Sequence, residues 1–154
     1  MRRKIDPRRL AFFGLRDLDP AEKSLLTERE IIAYMSAAIL GGGVDIGSAM
    51  QQHLERNPGG FSVFSADLDG LDPEFAPCVT TAVEGGLTLG HYLTALWALH
   101  AIRGKERVLS YEIHEFNPKC LLVGGATTLY PGEVDTTVET IVALLNAIVQ
   151  NDRE

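Results

Sequence analysis

The chain has 154 residues, 45% hydrophobic and 23% charged, the proportions of one ordinary globular domain with enough apolar material for a core. Lys and Arg number 14 against 21 Asp and Glu, a formal net charge of −7, which argues against general attraction to nucleic acid or an anionic membrane surface. Cys78 and Cys120 lie far apart without CxxC spacing, so neither a zinc site nor a disulfide framework is indicated, and no apolar run reaches membrane-spanning length.

The opening MRRKIDPRRL is basic, but Asp6 and Pro7 interrupt it. It reads as a solvated lead-in to a first strand at residues 10–15 in preference to a trimmed mitochondrial leader. Asp17, Asp19 and Pro20 then mark a helix start, with AEKSLLTERE as a short helix. Residues 31–34 suit a second strand, although AYMSAAIL suits a helix equally. Asp45 is placed to cap IGSAMQQHLERN, whose Ile46, Met50 and Leu54 recur on one helical face. The glycines of GGGVDIG fall at G-x-G-x-x-x-G spacing, which does not match a dinucleotide-binding fingerprint.

FSVFSA reads as the next strand, and LTLGHYLTALWALHAI as a helix with Leu89, Leu93, Leu96, Trp97 and His100 at helical spacing. RVLSYEIHEF follows as a strand. The last helix, from Glu133, carries Val134, Val138, Ile141, Leu145 and Ile148 as its expected apolar stripe. Strands alternating with helices predict a parallel sheet with ligands bound beyond the carboxyl ends of its strands.

Three acids, Asp67, Asp69 and Asp72, gather at one such end in FSADLDGLDPEFAP. Residues two apart in extended chain point the same way, so Asp67 and Asp69 can converge. Two close carboxylates favour a shared proton or a bound cation, and oxygen donors of this type suit manganese, magnesium or calcium. Asp67 and Asp72 are equally able to cap a turn. Spacing leaves both readings open.

The longer text SADLDGLDPEFAP, with EGGLT and EIHEFNP after it and FGLRDLDPAEK before it, resembles the arginase (ureohydrolase) family in four blocks that cover nearly the whole chain. The likeness is to arginases proper more than to agmatinase-like relatives. It implies an α/β fold, a three-layer arginase-like half-sheet of mostly parallel strands flanked by helices. Residues 1–154 would form one domain, similar to the C-terminal half of the family fold. The resemblance also implies that Asp67 and Asp69 are ligands to two manganese ions. Glu115 would hold the substrate guanidinium, and Thr81 would line the pocket. In arginases a metal-bridging hydroxide attacks the guanidinium carbon, a hydrolysis of an amidine C–N bond that turns arginine into urea and ornithine.

The family's GGDH and DAHxD blocks, which supply its metal-binding histidines, do not occur in this sequence. His53, His91, His100 and His114 stand in no Asp-x-His context and read as packed or surface side chains. His114 and Glu115, adjacent on a strand, are expected to face opposite sides. Glu112 is expected in a salt bridge. Two functions follow. The chain is half of a manganese ureohydrolase, inactive alone and completed by a second chain, or it is a non-catalytic arginase-like subunit of a larger complex.

Either reading calls for a partner protein or a second copy over the sheet edge. Cys78-Val79-Thr80-Thr81-Ala82 replaces the glycine-containing family turn, and Gly90-His91 replaces an Arg-Glu pair used in subunit contacts. In residues 119–132, Leu121, Leu122 and Val123 suit cover for a neighbour or packing on their own sheet. The expected location is intracellular, cytoplasmic or mitochondrial.

Overall fold

A computed structural model describes residues 5–117 and 131–149, the side chains of residues 131–134 excepted. The expectations for Cys120, Leu121, Leu122, Val123 and the Val134 side chain lie outside the described residues. Strand β1 (Ala11–Leu15) leads into α1 (Pro20–Glu28), then β2 (Ile32–Met35), α2 (Ser36–Leu40) and α3 (Ile46–Arg56). Strand β3 (Ser62–Asp67), α4 (Leu89–Arg103), β4 (Val108–His114) and α5 (Pro131–Val149) complete the order. The ambiguity at residues 31–40 resolves as both elements in succession. Tyr34 and Met35 finish the strand, and Ser36 opens the helix.

Side-chain caps account for the helix starts. Asp19 accepts from the Ala21 and Glu22 amides, Glu22 returns a bond to the Asp19 amide, and Pro20 fills the first turn, where a missing N–H costs nothing. Asp45 accepts from Ser48 N–H at 2.7 Å to start α3, and Thr88 accepts from the His91 amide to start α4. Gly104, at φ 70°, ends α4 in a conformation that favours glycine.

The strands pair in two parallel two-stranded ladders, β1 with β2 and β3 with β4. Parallel pairing requires crossovers, and α1 and α4 supply them. Ile46, Met50 and Leu54 of α3 are buried as the spacing requires, against Ala95 and Leu99 of α4 and against Phe13, Tyr34 and Phe64 of the strands. A second cluster joins Ala66, Leu68 and Leu71 to Ala76, Val79 and Leu144. His53 and His100 are packed side chains, as read. His53 Nε2 lies 3.2 Å from the Arg9 carbonyl, and His100 Nε2 lies 2.7 Å from the Tyr111 hydroxyl.

Two apolar faces differ from expectation. Trp97 is 52% exposed, because Ala95, Leu96, Leu99 and His100 form the inward face of α4. On α5 Val138 and Leu145 of the expected stripe face outward and Ile141 packs against the second cluster, while the buried residues are Thr137, Thr140 and Leu144. The reason is hydrogen bonding. Thr140 Oγ1 donates to the Phe75 carbonyl at 2.7 Å, and Cys78 N–H donates to Thr137 Oγ1 at 3.0 Å. The helix turns its threonines inward to satisfy loop backbone that would otherwise be buried unpaired. Phe12, Val63 and Leu109 remain exposed on the strands.

Candidate metal and substrate site

The acids stand beyond the carboxyl end of β3. Alternation places Ala66 and Leu68 in the core, with Leu68 fully buried, and leaves Asp67 exposed and Asp69 half-buried. A 3-10 turn, Leu68–Gly70, follows the strand and lets both aspartates stay at its mouth. The turn is closed by the Leu71 amide donating to the Leu68 carbonyl at 3.2 Å. It is tied to the segment before α4 by Leu87 N–H to Gly70 O and Asp72 N–H to Leu87 O, each 2.9 Å.

The acids divide between the two readings left open by the sequence. Asp72 is a turn former: its carboxylate accepts from Glu74 N–H at 3.1 Å and Gly85 N–H at 2.9 Å. These bonds hold its pKa below the usual carboxylate range, the Glu74 amide contributing most. Asp67 makes no side-chain cap bond at the turn it precedes. Its pKa is raised, first by partial desolvation and then by the negative charges of Asp69 and Glu115. A group held this way disfavours its own ionisation, and a cation beside it would relieve the strain.

Glu115 lies just past the end of β4, contrary to the expectation that it continues the strand. Strand β4 stops at His114, whose register partner is Asp67, and Glu115 adopts φ 64°. An extended Glu115 would face away from Asp67, whereas the left-handed residue breaks that alternation, and its charge is felt at Asp67. A non-glycine residue in this region costs about 1–3 kcal/mol, and such residues cluster at functional sites. Glu112 is where expected, with its Oε2 3.2 Å from His114 Nε2 on an exposed surface.

Thr81 is exposed and lies two residues beyond Val79, which bridges Phe116 in antiparallel fashion; Asn117 N–H donates to the Cys78 carbonyl at 3.0 Å. These bonds set the Thr81 and Glu115 segments side by side. Two contributors escaped the sequence reading. Arg16, after β1, donates to the carbonyls of Asp69 and Val83. Tyr92, in the first turn of α4, donates to the Asp67 carbonyl at 2.6 Å. Arg16 sits within the quoted FGLRDLDP block, but its target is 53 residues away, and no local pattern announces it.

Asp67 and Asp69 fit the oxygen-donor chemistry of manganese as two of an ion's ligands. Among the described residues no group of three His, Cys, Asp or Glu side chains is arranged to hold a metal ion. No described helix is long and apolar enough to cross a membrane.

Residues 1–134 match the Arginase family. The arginase of Schizosaccharomyces pombe is 38% identical over 120 residues, 76% of this chain and 36% of that protein. The arginase of Saccharomyces cerevisiae is 32% identical over 117 residues, 74% of this chain and 34% of that protein. The chain thus spans about a third of the curated relatives it matches. In structure it is similar to the arginase from Bacillus caldovelox, with a TM-score of 0.72 at 28% identity, over 94% of this chain and 44% of that one. Its strand order, its caps and its acidic turn are those of an α/β protein, and the chain belongs to the arginase family.

Proposed function

We propose that this chain carries the acidic half of an arginase-type site, which a second polypeptide completes to hydrolyse the guanidinium of arginine to urea and ornithine. The observation that supports this reading best is the placing of Asp67 and Asp69 at the carboxyl end of β3. There Asp67 makes no side-chain cap bond, and its pKa is raised first by partial desolvation and then by the charges of Asp69 and Glu115. Asp67 and Asp69 would serve as ligands to a manganese pair. Manganese, when bound, supplies a nucleophile by lowering the pKa of its water. Glu115 would accept paired N–H bonds from the guanidinium, the planar fork matching the carboxylate. Thr81 would line the same pocket. An intracellular location, cytoplasmic or mitochondrial, belongs to the same proposal.

Non-catalytic service in a larger assembly is the second reading, favoured by the missing GGDH and DAHxD blocks and by Cys78-Val79-Thr80-Thr81-Ala82 in place of the glycine-containing turn. The exposed Phe12, Val63 and Leu109 on the strands suit either reading. Both readings require a covering partner. They part on chemistry: the assembly in which the chain purifies should release urea from arginine with manganese on the first reading and none on the second. The purified chain alone is expected to release no urea above the metal-only background. Clear turnover by the chain alone would overturn the need for a second polypeptide.

A further inference from the structure

The two carbonyls of the aspartate pair are each held by a side chain from a different element. Tyr92 of α4 donates its hydroxyl to the Asp67 carbonyl at 2.6 Å. Arg16, after β1, donates to the Asp69 carbonyl and, through its other terminal nitrogen, to that of Val83. The Leu68 carbonyl is taken by the Leu71 amide and the Gly70 carbonyl by the Leu87 amide. Every carbonyl from Asp67 to Gly70 therefore has a donor, and the backbone direction of the turn is set from three sides.

Gly70 belongs to the same arrangement. A Cβ at Gly70 would stand 2.5 Å from the Tyr92 hydroxyl, while the next ring atom, Cζ, is 3.8 Å away. Only a residue without a side chain lets the phenol come this close.

We infer that Tyr92 and Arg16 are positioning residues that aim the Asp67 and Asp69 carboxylates at one point, with Gly70 as the space Tyr92 requires. The inference rests on the reading of these aspartates as metal ligands, and it extends that reading to residues that touch no metal. Tyr92→Phe removes one hydroxyl and keeps the packed ring, so the fold is retained. Gly70→Ala breaks the same contact from the other side. Their combination tests whether the two act through one bond.

The experiment is titration of the full chain with manganese, followed by electron paramagnetic resonance, with Asp67→Asn as the reference for a lost ligand. Tyr92→Phe and Gly70→Ala are each expected to weaken manganese binding by about tenfold, the scale of one hydrogen bond. The double variant is expected to bind no more weakly than either single one. Wild-type affinity in Tyr92→Phe, or losses that simply add in the double variant, would overturn the positioning role.

A wild-type chain that binds manganese no better than Asp67→Asn would instead mean that the acids hold no metal without the second polypeptide. Amide hydrogen exchange at Leu71 then decides the positioning role by itself. Exchange about tenfold faster in Tyr92→Phe supports it, and unchanged exchange overturns it.

Discussion

Replacing Gly86 with Ala is expected to destabilise the chain by roughly 3 kcal/mol or more, the upper end for overpacking, because the added carbon has nowhere to go. It would lie 2.2 Å from the Leu71 carbonyl carbon, 2.3 Å from the Asp72 nitrogen and 2.4 Å from the Leu71 oxygen. All three are backbone atoms, so no rotamer change relieves the clash. The damage falls on the site as well as on stability. Leu87 and Leu71 form a parallel bridge here, and the Gly70 and Leu87 carbonyls accept the bonds that join the two segments. Urea denaturation followed by circular dichroism reads the loss. Gly90→Ala serves as the control, since its Cβ would meet only Thr88 Oγ1 at an ordinary 3.5 Å. A Gly86→Ala chain as stable as the Gly90→Ala chain would contradict the packing described.

Leu68→Ala carries the second large effect. Leu68 stands between the two aspartates in sequence, with its side chain fully buried among Ala66, Leu71, Ala76, Val79 and Leu144. Truncation removes apolar contact and leaves a cavity, with a cost of about 2–5 kcal/mol for a buried leucine. Because the buried leucine anchors the turn that presents Asp67 and Asp69, manganese affinity should fall along with stability. Leu144→Ala, in the same cluster but on α5, should cost a similar amount of stability and affect manganese binding less. Equal losses of manganese binding in the two variants would contradict Leu68 as the anchor of the turn.

Much of the fold was legible because the helix starts announce themselves in local chemistry. Asp19-Pro20 and Asp45 before Ile46 each place an oxygen acceptor where free amides need one; the Thr88 cap of α4 went unread. The inward face of α5 was not legible. Of its expected stripe, Val138 and Leu145 are exposed and Ile141 packs against the second cluster, while Thr137 and Thr140 face the loop at Phe75 and Cys78. Hydropathy ranks valine above threonine, yet unpaired loop backbone needs the hydroxyl more than the core needs another methyl.

The candidate site shows the same division. Asp67 and Asp69 stand together because period-two alternation and a turn suffice to place them. Glu115 joins them only through a left-handed residue that alternation cannot foresee. Tyr92 was missed because its place on an amphipathic helix reads as packing, and its donor function appears only when α4 lies against the end of β3. Long-range side-chain to backbone bonds of this kind leave no spacing in the sequence.

The most direct test is native mass spectrometry of the assembly in which this chain purifies, without added metal. The account predicts manganese together with a polypeptide that carries the His-containing metal blocks, Asp67 and Asp69 then being working ligands. Partners unrelated to the family, with no manganese, would contradict it and leave the acids as a remnant in a structural subunit.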